Sequence, residues 1–334
     1  MKTSPSLKDI ADTAKVSIRT VARVIKNNGY VSPETRDSVN EVIRRLGYRP
    51  NRYARSLREQ RSFEITVISW THDEIHMEKL RALETLVRKH DYCMTLLFDP
   101  MRTPADVEHV VEELRNRRPA AVAVISRPPL DDACWARQLE EAQLPFLFID
   151  SEDPRMDSPR TDRESGVFDA VEYLVSTGRR RVAYVGRVES YRGASARLRG
   201  YQRAVRKHEL PEMVVPIESD LDKWEAGRMA VESLARLWPL PDAVQAYSDE
   251  LAMSFMYFLQ KQGIRVPDDI AVMGFDDRRA ARFASPPLST VKQPNEELGQ
   301  VVGELLLRKI HNQGPPEGGW SPAVRPTLVI RETT

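Results

Sequence analysis

Residues 7–47 read LKDIADTAKVSIRTVARVIKNNGYVSPETRDSVNEVIRRLG. Their apolar residues recur every three or four positions in three short segments, as in helices that each bury one face. The inward-facing residues are Leu7, Ile10, Ala11 and Ala14, then Val21, Val24 and Ile25, then Val39, Val42, Ile43 and Leu46. Ser6, Ser17 and Ser32 precede the segments as N-caps, and Gly47 ends the third. The pattern predicts a helix-turn-helix, with a turn of about three residues, and a third supporting helix.

The charge of the chain is divided between this segment and the remainder. Residues 1–62 carry 14 Lys and Arg against 6 Asp and Glu, whereas residues 63–334 carry 36 against 43. Such segregation suggests a head that binds phosphates, joined to a body with a different task. A solvated basic surface without a partner is the alternative.

Residues 7–58, which continue from Gly47 as YRPNRYARSLR, resemble the DNA-binding headpiece and hinge of the lactose-repressor/galactose-repressor family of bacterial regulators. The chain departs from the family at Lys15, where Gly or Asn is usual, and at Ala22, where Ser is usual. Lys15 is expected to need a left-handed backbone, at a cost of about 1 kcal/mol. The resemblance implies a sequence-specific transcriptional regulator, expected to be a repressor.

The resemblance also implies which residues contact DNA. The start of the second helix would enter the major groove, where Arg19 and Arg23 can pair with guanine and Ile18 can pack against a thymine methyl group. Contacts to the DNA backbone are expected from Thr20, Asn28, Tyr48 and Asn51.

A short hinge helix is expected within residues 50–62, with Ala54 and Leu57 on one face. By resemblance, this helix forms on DNA, pairs with its twin in a homodimer and inserts Leu57 into the minor groove of a pseudo-palindromic operator. A linker without a helix is the alternative, because an isolated helix of about seven residues has little stability.

From residue 63 onward, short β-branched runs alternate with helical stretches, which predicts parallel, doubly wound α/β sheets. The predicted strands are Ile65–Ser69, Thr95–Phe98, Ala121–Ile125, Phe146–Ile149, Val182–Gly186, Val214–Ile217, Ala243–Tyr247 and Ile270–Gly274. The segments GRRRVAYVG, RLRGYQRAV, RVPDDIAVMGFDD and SPPLSTVKQP resemble the periplasmic-binding-protein-like core of the same family. Proline-rich segments near 285–287 and 315–316 are interpreted as crossings between two lobes.

The predicted fold is therefore an all-α helix-turn-helix headpiece with a hinge helix, joined to a two-lobed α/β core. The headpiece is assigned to residues 1–49, the hinge to 50–62 and the effector-binding and dimerisation core to 63–334. Within the core, the N-lobe takes about 63–163 and 293–321, and the C-lobe takes about 164–292 and 322–334.

In such folds the ligand pocket lies between the lobes, beyond the carboxyl ends of the strands. The residues expected there are Trp70, Asp150, Arg197, Ser248, Asp276 and Gln293. Arg197 matches the family's ligand-binding arginine, a tryptophan can stack on a sugar ring, and carboxylates can bind hydroxyls, so a carbohydrate effector is expected. Because Arg197 can bind an anion, a sugar acid or a sugar phosphate stays open as the effector. The alternative is that acids at strand ends do not bind a ligand but act as helix caps or as ion pairs between the lobes, and it applies best to Asp249 and Asp277.

The sequence contains no GxGxxG, Walker A or GxSxG motif, so neither an enzyme nor a cofactor is expected. His72 and His76 have a metal-binding spacing if helical, but no third ligand is evident, and a loop at the pocket lip is preferred. Cys93 and Cys134 are expected to be reduced. A cytoplasmic protein that makes no membrane contact is expected, since no apolar run could span a bilayer and the N-terminus lacks a signal sequence.

Two other functions stay open. The chain could be a DNA-binding regulator without an effector, or a small-molecule-binding protein or sugar enzyme with a non-functional head.

Overall fold

The structure, a computed structural model, describes residues 5–48, 56, 59, 61–98, 103–125, 132–190, 193–218, 222–237 and 239–334. Contacts divide the chain into two compact units, Met1–Arg61 and Ser62–Thr334. Asn51, Ala54 and Leu57 lie outside the described residues, so their predicted roles stay predictions. None of the described helices is both long enough and apolar enough to cross a membrane.

Residues 5–48 form helices α1 (Leu7–Ala14), α2 (Ile18–Lys26) and α3 (Pro33–Leu46). The predicted caps are confirmed, because Ser6, Ser17 and Ser32 each accept a backbone N–H from the first turn of the following helix. Lys15 has φ 53° and ψ 42°, the left-handed backbone that the sequence predicts for the turn. The buried core consists of Ile10, Ala11, Val21, Val24, Val39 and Val42.

The N-lobe of the second unit contains a parallel four-stranded sheet. In chain order its strands are β1 (Glu64–Ser69), β2 (Cys93–Phe98), β3 (Ala121–Ile125) and β4 (Phe146–Ile149), and in space they follow the order β2-β1-β3-β4. The intervening helices are α4 (Glu74–Lys89), α5 (Pro104–Arg117) and α6 (Asp132–Glu141).

The C-lobe contains a six-stranded sheet in the order β10-β9-β8-β7-β5-β6. Its strands are β5 (Val182–Gly186), β6 (Met213–Pro216), β7 (Ala243–Ala246), β8 (Ala271–Asp276), β9 (Ser289–Lys292) and β10 (Thr327–Val329). Only β10 runs antiparallel to its neighbour within this described sheet. Its helices are α7 (Arg163–Ser176), α8 (Ala196–Lys207), α9 (Lys223–Leu234) and α10 (Asp249–Lys261). Short two-residue ladders join 189–190 to 193–194 and 160–161 to 323–324. The predicted pair of α/β sheets is confirmed.

The chain passes between the lobes after β4, after β9 and again after helix α11 (Asn295–Ile310). Although α11 follows a C-lobe strand, it packs against α4, and its Leu298, Val302 and Leu306 share one apolar cluster with the N-lobe strands. The prediction of a crossing near 285–287 is wrong in position. That segment precedes β9, which still belongs to the C-lobe sheet, so the crossing lies at Gln293-Pro294.

Candidate functional site

Helix α2 separates its side chains into a buried face and an exposed face. Val21 and Val24 are buried, whereas Arg19 and Arg23 are exposed and Ile18 is 48% exposed. An isoleucine with half its surface in water gains nothing from that position unless it meets an apolar group. The two arginines and Ile18, the predicted base-reading residues, therefore lie exposed at the start and middle of one helix.

Polar groups surround this face. The Thr20 hydroxyl lies 2.9 Å from the Ser17 hydroxyl, so it is held at the first turn of α2. Asn28 is exposed, and Tyr48 is half-buried against the headpiece core. Tyr30, which the sequence reasoning did not select, is 87% exposed. Its position as an aromatic residue in the mostly polar stretch Asn27–Ser32 could have indicated a contact residue.

In the core, Asp150 follows β4 and lies within a cluster of buried charges. Its carboxylate accepts hydrogen bonds from Lys79 Nζ and, at 2.9 Å, from the Thr161 backbone N–H, and it pairs with Arg163 at 2.9 Å. Burial raises the pKa of Asp150, but Arg163 and Lys79 outweigh that effect and hold the pKa well below its usual range. Asp150 thus occupies the predicted strand end, in the ion-pair arrangement that the alternative described.

Gln293 connects this cluster to the C-lobe. Its Oε1 accepts hydrogen bonds from Lys79 Nζ at 3.2 Å and from the Thr161 hydroxyl at 3.1 Å. Its Nε2 donates to Asp276 Oδ1 at 2.7 Å. Because Lys79 belongs to α4 and Asp276 ends β8, one amide side chain joins polar groups of both lobes.

Arg197, near the start of α8, lies on the C-lobe side of this connection. Its guanidinium carbon is 4.1 Å from the ring centroids of both Tyr247 and Phe275. One terminal nitrogen lies 3.4 Å from Asp276 Oδ1, while the buried Nε has no hydrogen-bond acceptor among the described residues. The structure therefore brings Arg197, Asp276 and Gln293 into one contiguous group.

The other two predicted ligand residues lie at strand ends but differ in their contacts. Trp70 follows β1, is 37% exposed, and packs edge-on against His76 with ring centroids 5.8 Å apart. Ser248 is buried and caps α10 by accepting the Leu251 N–H at 3.3 Å. The Trp70 ring is thus partly exposed, whereas the Ser248 oxygen accepts a backbone N–H of α10.

Asp249 and Asp277 make structural contacts within the C-lobe, and these are neither the helix caps nor the ion pairs between lobes that the alternative described. Asp249 is fully buried, receives the Thr290 hydroxyl at 2.5 Å and the Arg278 N–H at 2.7 Å, and burial, reinforced by Asp276, raises its pKa to about 7. Asp277 pairs with Arg331 at 2.5 Å.

The His72 and His76 pair does not have the helical arrangement that metal binding required. Helix α4 begins only at Glu74, and His76 Nδ1 lies 2.8 Å from Asp73 Oδ1. Across the described ranges, no group of three or more His, Cys, Asp or Glu side chains could hold a metal ion.

Lys79, Arg163 and Tyr247 also belong to the interlobe group, and the sequence reasoning missed all three. Lys79 had a signal, since it stands four residues from both Ile75 and Leu83 on the apolar face of α4 and is 2% exposed. Arg163 and Tyr247 had only their positions at a helix start and a strand end.

Comparisons with known proteins agree with this architecture. Residues 6–51 match the bacterial regulatory proteins, lacI family, and residues 171–334 match the periplasmic binding protein-like domain. The chain is 30% identical over 335 residues to the ribose operon repressor of Haemophilus influenzae, covering 98% of each protein. It is 31% identical over 340 residues to the HTH-type transcriptional repressor CytR of Escherichia coli, covering 100% of this chain and 97% of that protein. The lac repressor dimer bound to operator and the anti-inducer ONPF aligns with a TM-score of 0.80 and 25% identity over 99% of both chains. The chain therefore belongs to the lacI family of bacterial regulatory proteins.

Proposed function

We propose that the protein is a transcriptional repressor that binds a pseudo-palindromic operator as a homodimer and changes its operator affinity when a small molecule binds between the core lobes. The observation that carries the proposal is the pairing, in one chain, of an exposed Ile18, Arg19 and Arg23 on a basic helix-turn-helix with a two-lobed core. Family membership and the named repressors among its relatives support it.

On DNA, Arg19 and Arg23 read guanine edges in the major groove, and Ile18 packs against a thymine methyl group. Thr20, Asn28 and Tyr48, together with the exposed Tyr30, contact the sugar-phosphate backbone and fix the orientation of the headpiece. Asn51 completes these contacts in the proposal.

The proposal assigns residues 50–62 to a hinge in which Ala54 and Leu57 contact the minor groove. A side chain inserted between base pairs there kinks the duplex. The solved lac repressor dimer on its operator supports a two-fold arrangement.

For the effector, Trp70, Arg197, Asp276 and Gln293 form the contact set, since a ring, a guanidinium, a carboxylate and an amide can each bind a hydroxylated molecule. Asp150 supports this set by holding Lys79 and Arg163 in place, and Ser248 supports it by capping the start of α10. Gln293 touches groups from both lobes, so a ligand bound to it alters the contact between the lobes.

The test begins with selection of duplexes from a random pool by the full-length protein. We expect enriched sequences with two-fold symmetry, dimer-sized footprints and affinity that falls steeply with salt. Ligands found by thermal shift are then added to the operator titration. Linkage requires that a ligand and the operator change each other's affinity by the same factor. Equal affinity for all duplexes, or protection of a single asymmetric half-site, would contradict the proposal.

A further inference from the structure

The strongest chemical signal in the core is a buried guanidinium without its full set of acceptors. Arg197 is 7% exposed, and its guanidinium carbon lies 4.1 Å from the ring centroids of both Tyr247 and Phe275. A guanidinium donates hydrogen bonds in its own plane. Among the described residues, its one hydrogen-bond contact is long, 3.4 Å to an Asp276 oxygen that already accepts the Gln293 amide, and its Nε has no acceptor.

Positive charge exceeds negative charge at the neighbouring strand ends. Asp150 is one carboxylate shared by two buried cations, Lys79 and Arg163, whose side chains are 3% and 14% exposed. Strands β5 and β7 are parallel neighbours, so Arg187, which follows β5, and Tyr247, which follows β7, leave the same edge of the sheet side by side. An excess of buried cations is costly unless an anion compensates it.

The Tyr247 phenol lies within this charge. Burial raises the pKa of Tyr247, but Arg197, Arg187 and Arg163 outweigh that effect and leave the pKa below its ordinary value. The two buried acids nearby do not cancel all of this positive charge, because Arg163 shares Asp150 with Lys79, and Arg197 shares Asp276 with Arg278. Glu152, a third acid, is exposed. Gly186 is required here, since a Cβ at that position would stand 2.2 Å from Tyr247 Cβ.

We propose that the effector of this protein is a hydroxylated small molecule with an anionic group, a carboxylate or a phosphate, that binds in the plane of Arg197 beside Tyr247. The anion supplies the acceptors that the Arg197 guanidinium lacks and balances the charge of Arg163 and Arg187. Planar, bidentate pairing with such groups is the interaction for which a guanidinium is best suited. A neutral sugar would leave the cation excess uncompensated. The inference rests on the proposed function, because it assigns a chemical class to the same effector site.

Matched ligand pairs test the inference on the full-length protein. The first arm compares D-glucose with D-glucuronate, and the second compares D-glucose and D-ribose with their 6- and 5-phosphates, all at constant ionic strength. Inorganic phosphate is measured against sodium chloride as the minimal anion. Binding is measured as the shift in the thermal unfolding midpoint, followed by tryptophan fluorescence. This signal reports only the core, because the five tryptophans all fall within residues 63–334: Trp70, Trp135, Trp224, Trp238 and Trp320.

We expect at least one anionic member to bind about tenfold or more tightly than its neutral counterpart, and Arg197→Gln to remove that preference. Arg199→Gln is the matched control, because it removes the same charge from the same helix at an exposed position and should leave the preference intact. The arm that responds identifies carboxylate or phosphate.

The inference is overturned if no anion binds, if neutral members bind as tightly, or if Arg197→Gln keeps the preference. Operator titration separates this failure from failure of the proposed function. Specific operator binding together with a neutral effector refutes the anion alone. An anion that binds at Arg197 without changing operator affinity supports the site and refutes effector control.

Discussion

Replacing buried Asp249 with asparagine should stabilise the core at alkaline pH and leave it nearly unchanged at acidic pH. Asp249 is fully buried, and its two oxygens face the Thr290 hydroxyl and the Arg278 N–H. An asparagine can keep both contacts, because its oxygen can accept the N–H and its amide can donate to the hydroxyl. The substitution therefore removes a titration and little else.

The magnitude follows from the raised pKa. Burial and the neighbouring Asp276 raise the pKa of Asp249 to about 7, whereas an unfolded chain has a value of about 3.9. Between those values the folded state holds a proton that the unfolded state has lost, so folding stability falls as pH rises through this window. Full titration corresponds to about 4 kcal/mol, since each pKa unit is about 1.4 kcal/mol. Below about pH 4 this contribution is fully present, and above about pH 7 it is lost.

The assay is urea unfolding of the full chain, followed by tryptophan fluorescence at a series of pH values. The stability of Asp249→Asn relative to wild type should rise by up to about 4 kcal/mol from pH 4 to pH 8. Asp268→Asn is the control, because the Asp268 side chain is 63% exposed and surface ion pairs contribute only about 0–1 kcal/mol. A stability difference between Asp249→Asn and wild type that does not change with pH would refute the reasoning.

Other substitutions probe the DNA surface, the buried ion pair and a helix cap. Arg23→Ala should weaken operator binding by about 1–3 kcal/mol and relax preference at one base pair, whereas Arg45→Ala on α3 should affect all duplexes equally or not at all; equal losses on every duplex for Arg23→Ala would contradict base reading. Asp150→Asn should lower core stability by about 3–5 kcal/mol, because it leaves buried cations without their carboxylate. In a Lys79→Met background the loss, measured by urea unfolding, should be smaller, and strictly additive losses would contradict an interaction between Asp150 and Lys79. Ser17→Ala should destabilise α2 by about 1 kcal/mol, measured as faster amide hydrogen exchange in that helix. Unchanged exchange would show that the Ser17 cap does not stabilise α2.

The headpiece could be predicted closely because its signals are local. Ser17 caps α2 from the position just before it, and Lys15 needs its left-handed backbone because only two residues, 16 and 17, separate it from that helix. Such relations involve neighbours in the chain, so a sequence displays them directly.

The interlobe site could be predicted only in part. Strand ends and family resemblance selected Arg197, Asp276 and Gln293, and these do meet. The partners of Asp150 could not be predicted, since Lys79 lies 71 residues away in the chain and no local pattern pairs them. A lysine on an apolar helix face signals burial, but its partner depends on how the lobes pack.

The position of α11 has a consequence for synthesis of the protein on the ribosome. The N-lobe strands emerge first, yet the apolar face that Leu298, Val302 and Leu306 cover stays open until residues 295–310 have been made. The first N-lobe strand precedes α11 by more than 200 residues, which corresponds to roughly 10–45 s at about 5–20 residues per second. During that interval the nascent chain exposes an incomplete core, so its yield in the cell should depend on chaperones and on translation speed more than its final stability implies.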